Sequence, residues 1–98
     1  MFSYKVFKQD DDILLAISDS NIVGKTLQEK DIKIKVSEDF YSEKSCDDNE
    51  ATILIKRATI VNAIGKNIIN LMIKGKFIEK ENILKINGVP HAQIITIK

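Results

Sequence analysis

The chain has 98 residues, 44% hydrophobic and 30% charged, enough for one domain that hides roughly two thirds of its unfolded surface from water. Fifteen basic against fourteen acidic residues leave a net charge of +1, which argues against disorder and gives no bulk support for nucleic-acid binding. One cysteine, Cys46, and one histidine, His91, exclude an internal disulfide framework and multi-histidine metal sites, so neither a metal nor a cofactor is expected.

Phe2-Ser3-Tyr4-Lys5-Val6-Phe7 is aromatic and β-branched and reads as a strand rather than a signal sequence. Asp10-Asp11-Asp12 supplies turn chemistry. The apolar run Ile13 to Ile17 then reads as a strand buried on both faces, forming a hairpin with the first. That run is the longest in the chain and falls far below the ~18 residues of a membrane span, so the cytoplasm is the expected compartment. Asp19-Ser20-Asn21 starts a turn that Gly24 ends. Ile32-Lys33-Ile34-Lys35-Val36 has the cleanest period-two pattern. Ser37 to Asn49 reads mostly as a loop pinned by Phe40 and Tyr41.

Asp47, three residues before Glu50, has the spacing of a helix cap. From Ala51 to Met72 apolar residues recur mostly every three or four positions, which predicts two helices, roughly 48–63 and 66–74, joined at Gly65 and closed by Gly75. Ile83 to Ile86, Asn87-Gly88 and an extended run to Lys98 predict a hairpin with a type I′ turn. Pro90 cannot donate a ladder bond and places the start of the last strand at an edge or bulge. The sum is a single α+β domain, residues 1–98. Its mainly antiparallel sheet of about five strands packs on two helices and ends in the Asn-Gly hairpin.

No catalytic motif passes its spacing test. Gly24-Lys25-Thr26 resembles the end of a phosphate-binding loop, but the position that needs glycine holds Asp19, which repels phosphate. Asp10 to Asp12 lacks the glycine and glutamate of a calcium loop. Ser18 and Ser20 lack the flanking glycines of a nucleophilic serine. Cys46 lies among acidic residues that disfavour its thiolate. Lys33 and Lys35, with Lys5, read as a solvated sheet face. The chemically interesting residues are His91, in the polar company of Asn87, Pro90 and Gln93, and Asn62, an amide in an apolar helical stretch whose simplest role is a cap.

Leu14-Leu15-Ala16-Ile17-Ser18-Asp19, Ile22-Val23-Gly24-Lys25-Thr26, Phe40-Tyr41, Ala58 to Gly65 and Asn87-Gly88-Val89-Pro90-His91-Ala92-Gln93 together resemble the archaeal domain-of-unknown-function family 424. The resemblance spans nearly the whole chain in order and carries no established activity. It implies a suspected link to translation or RNA metabolism, an association without a mechanism. It points to Gly24, Asn62, Gly65, Pro90, His91 and Gln93; the glycines read as backbone needs.

The leading reading is therefore a non-catalytic intracellular module that binds a macromolecular partner, an RNA–protein assembly among the candidates, with His91, Gln93 and Asn62 as its contacts. The alternative is a small-molecule or phosphate-ester enzyme using His91 with Asn62 and Asp19 in one cleft. A homodimer built through the final strand is a third reading.

Overall fold

The computed structural model describes residues 1–96. In chain order the strands are β1 (Phe2–Gln9), β2 (Asp12–Asp19), β3 (Thr26–Glu29), β4 (Ile32–Lys35), β5 (Lys44–Cys46), β6 (Ile60–Ile64), β7 (Leu84–Ile86) and β8 (Val89–Ile95). The helices are α1 (Glu38–Tyr41), α2 (Asp48–Arg57) and α3 (Lys66–Lys74). One six-stranded sheet has the order β5-β1-β2-β6-β8-β7, and β3 and β4 form a separate hairpin. β2 and β6 run parallel; the other neighbours in the large sheet run antiparallel.

The hairpins follow from local chemistry. Asp10 takes a left-handed conformation (φ 54°) in the β1–β2 turn, which aspartate tolerates. Asn87 and Gly88, with φ of 52° and 80°, supply the two left-handed residues of the β7–β8 turn as expected. α2 begins where the Asp47 carboxylate accepts a hydrogen bond from the Glu50 N–H at 2.9 Å.

The large sheet is covered on both faces. One face packs Leu15, Ile17, Val61, Ala63 and Ala92 against Ile55, Ile68 and Met72 of α2 and α3. The other packs Ala16, Ile64 and Ile86 against Leu27, Val36 and Tyr41 of the small hairpin and α1. Side chains alternate between faces along each strand, so β2 and β6 contribute to both cores: Leu15, Ile17, Val61 and Ala63 to one, Ala16 and Ile64 to the other.

Four expectations are corrected. The segment expected as one helix over 48–63 turns into strand β6 after α2 ends at Arg57. Thr59 fixes the junction: its N–H donates to the Ile13 carbonyl at 2.9 Å, and its hydroxyl oxygen accepts from the Ile13 N–H at 2.8 Å. The sheet consequently has six strands, not about five, one pair of them parallel, and there are three helices among the described residues. Ser37 to Asn49 holds α1 and the edge strand β5 within what the polar composition marks as loop. β8 is interior, between β6 and β7, so the final strand is no free edge; the edges are β5 and β7. Pro90 is tolerated because the ladder to β6 begins one residue later, at the Ile64–His91 pair, while its carbonyl accepts from the Gly65 N–H at 2.9 Å. Of the run expected to reach Lys98, Ile97 and Lys98 lie outside the described residues.

Candidate functional site

The sequence-derived candidates fall into two groups on opposite faces of the sheet. Asp19 ends β2 on the helix-covered face. Its two carboxylate oxygens accept from the first-turn N–H groups of α3, Ile68 at 2.8 Å and Asn67 at 2.9 Å. The carboxylate is 5% exposed and is the N-terminal cap of a helix it does not belong to. Gly65 makes room for it. That residue has φ +128°, and a Cβ there would stand 2.5 Å from the Asp19 carboxyl carbon. A strand, a glycine and a helix N-terminus are the parts from which phosphate sites are built. Here an internal carboxylate already occupies the position a phosphate would take.

Asn62, His91 and Gln93 share the other face. Asn62 of β6 stands between Ala16 of β2 and Gln93 of β8, and His91 stands between Ile64 of β6 and Leu84 of β7. Period two along β6 and β8 keeps Asn62, Ile64, His91 and Gln93 on one surface. The small hairpin covers Ile64 and Ile86 but leaves the rest of this strip open. Asn62 and His91 are half-buried, Gln93 is exposed, and Leu84 and Ile95 beside them are 51% and 71% exposed. Among the described residues none of the three polar side chains makes a hydrogen bond, and none is a buried orphan, so their polar atoms reach water. Burial holds the His91 imidazole below its ordinary 6.5, and it is neutral at physiological pH.

The structure thus brings Asn62, His91 and Gln93 together and separates Asp19 from them by the thickness of the sheet. Asn62 caps no helix. Gly24 (φ 89°) meets a backbone need at the exit of the turn, where its N–H donates to the Val36 carbonyl at 2.7 Å. Lys5 belongs to the large sheet and Lys33 and Lys35 to the small one, and the Lys5 ammonium is turned to the Asp39 carbonyl and the Phe7 ring. Cys46 is buried at the β5 edge. Its thiol is pushed up to about 11, first by burial, then by the Glu50 and Asp47 carboxylates.

A groove of about 710 Å³ opens on the helix side, between α3 and the segment that leads into β7 and β8. Buried Ile69 and Pro90 and half-buried Ile73 and Ile83 give it an apolar lining. Exposed Lys66, Lys80 and Lys85 add three cations from three separate stretches of chain. No local motif marks these lysines. The available signal is segregation of charge: residues 1–59 carry nine basic and twelve acidic side chains, residues 60–98 six and two. Among the described residues no group of three His, Cys, Asp or Glu side chains could hold a metal ion, and no helix is long and apolar enough to cross a membrane.

Fold and surface define a small α+β domain with a mixed sheet, whose uncommitted polar groups lie on an open strip instead of converging in a cleft. The sequence pattern of the family described as protein of unknown function, DUF424, matches residues 7–97, and the chain belongs to that family. A similar solved structure is the crystal structure of an uncharacterized conserved protein from Methanopyrus kandleri. It is 22% identical over 99% of this chain and 94% of that one, with a TM-score of 0.81. At that identity the likeness establishes the fold alone. Comparison with curated proteins gives no match.

Proposed function

We propose that this chain is a non-catalytic intracellular module that docks a macromolecular partner on the strip carrying Asn62, His91 and Gln93. The supporting observation is the combination of three uncommitted polar side chains with exposed Leu84 and Ile95 on one stretch of sheet. Protein interfaces combine apolar contact with hydrogen-bonding groups that are otherwise left to water. The amides offer donors and acceptors in either orientation, and a neutral imidazole offers one of each. The enzyme reading needs Asp19 beside His91 and Asn62, and that carboxylate is taken by the N–H groups of α3 on the far face. An RNA–protein assembly is the setting that the sequence resemblance implies.

A photo-crosslinking residue placed at Gln93, and separately at Ile53 on the exposed face of α2, tests the reading in the native cell. The expected result is a discrete adduct from position 93 alone. Excess wild-type protein competes it away, whereas a variant with Asn62, His91 and Gln93 all changed to alanine does not. Equal adducts at both positions, or equal competition by the triple variant, overturns the proposal. Nuclease and protease digestion of the adduct then separates RNA from protein as the partner.

A further inference from the structure

The groove on the helix side goes beyond the open strip, and it has the opposite chemistry. We propose that it is a second binding site, which takes an acidic peptide segment with apolar anchor side chains. Ile69, Ile73, Ile83 and Pro90 provide an apolar lining, and Lys66, Lys80 and Lys85 surround it with positive charge. None of these three ammonium groups has an ion pair or hydrogen bond among the described residues. Among the described residues no acidic side chain lines the groove, although acidic residues nearly equal basic ones in the chain as a whole. Asn70, exposed on α3, adds an amide able to bond a peptide backbone. The volume of about 710 Å³ fits a few side chains.

Three observations select this ligand over others. A compact phosphate would seek the N–H groups at the start of α3, but Asp19 holds two of them and presents negative charge there. A single-stranded nucleic acid would seek aromatic side chains for its bases, and among the described residues no aromatic one lines the groove. Strand addition to the β7 edge is poorly served. The Ile83 N–H is donated to the Lys80 carbonyl, and the Asn87 N–H to the Glu29 carboxylate. What is left is recognition by side chains: carboxylates to the lysines, apolar anchors to the isoleucines and proline.

Fluorescence anisotropy of the purified chain tests the inference with three labelled probes: a peptide of Glu and Asp with leucine anchors, the same peptide with Lys in place of the acids, and a uridine oligomer. The acidic peptide should bind alone. Its affinity should fall on raising salt, and it should fall about tenfold in the triple variant Lys66→Gln, Lys80→Gln, Lys85→Gln. These side chains are exposed, so the variant keeps its fold, which circular dichroism verifies. Gln93→Ala should leave the affinity unchanged, so failure here is distinguishable from failure of the strip. Tighter binding of the uridine oligomer, an affinity indifferent to the three lysines, or absence of peptide binding at low salt each overturns the site. Self-association abolished by the same triple variant also overturns it, by making the acidic turn of a second copy the occupant.

Discussion

Asp19 illustrates how one side chain decides what a junction can do. Its carboxylate bridges the end of β2 to the start of α3, elements separated by more than forty positions in the chain, and it does so inside the core. Removing it in Asp19→Ala leaves two inward N–H groups without partners. Gly65→Ala forces a side chain into the carboxylate and imposes a left-handed conformation on a residue with a Cβ. Loss of a cap costs about 0.5–2 kcal/mol and a buried N–H left unpaired about 1–3 kcal/mol, so Asp19→Ala should lose about 2–4 kcal/mol, while backbone strain should cost Gly65→Ala about 1–3 kcal/mol. Chemical denaturation checks this. A loss under about 0.5 kcal/mol in Gly65→Ala would mean that the junction yields without strain.

His91 makes a separate statement at the same scale. Its folded-state value lies below the ordinary 6.5 because burial penalises the imidazolium. As pH falls through about 6.5 the unfolded chain takes up the proton first, so stability is lost progressively below that pH and is unaffected by this group above it. His91→Gln should have a flatter melting temperature between about pH 7.5 and 5.5 than the wild-type chain. Parallel curves would mean that partial burial leaves the imidazole's proton affinity unchanged on folding.

At the scale of elements, what could be read from the sequence was whatever is encoded locally. Asn87-Gly88, the aspartates at 10–12 and the Asp47 cap each act through their own backbone, and each element boundary they imply is present. β6 is the opposite case. It carries apolar residues on both faces (Ile60 and Ile64 on one, Val61 and Ala63 on the other), which blurs a period-two signature, and Val61, Ile64 and Ile68 happen to continue the three-to-four spacing of α2. The β-branched run Thr59-Ile60-Val61 was the countervailing sign. Misplacing β6 also hides the site. Asn62 and Gln93 are suggestive individually, but their adjacency depends on the register of β6 with β8, a non-local fact. The groove lysines, at 66, 80 and 85, converge only once α3 is laid against the β7–β8 hairpin.

Taken whole, the molecule has one sheet with a core on each side, and the two cores meet in the same strands, β2 and β6. Such an arrangement ties distant parts together, and Cys46 reports on it. The residue sits on the three-residue edge strand β5, where an isolated ribbon would fray, yet it is 1% exposed and packs in one cluster with Phe2, Ala51, Ile55 and Ile68. Opening β5 alone would expose Phe2 beside it and withdraw the contact that seats α2, so local release carries much of the penalty of unfolding. The thiol, held near 11, is also protonated at mildly alkaline pH and cannot attack a disulfide reagent while it is buried. Labelling of Cys46 by such a reagent should therefore follow the same denaturant midpoint as the loss of circular dichroism. Labelling that runs to completion well below that midpoint would show β5 to be a separate, weaker unit, and the two cores to be less coupled than their shared strands imply.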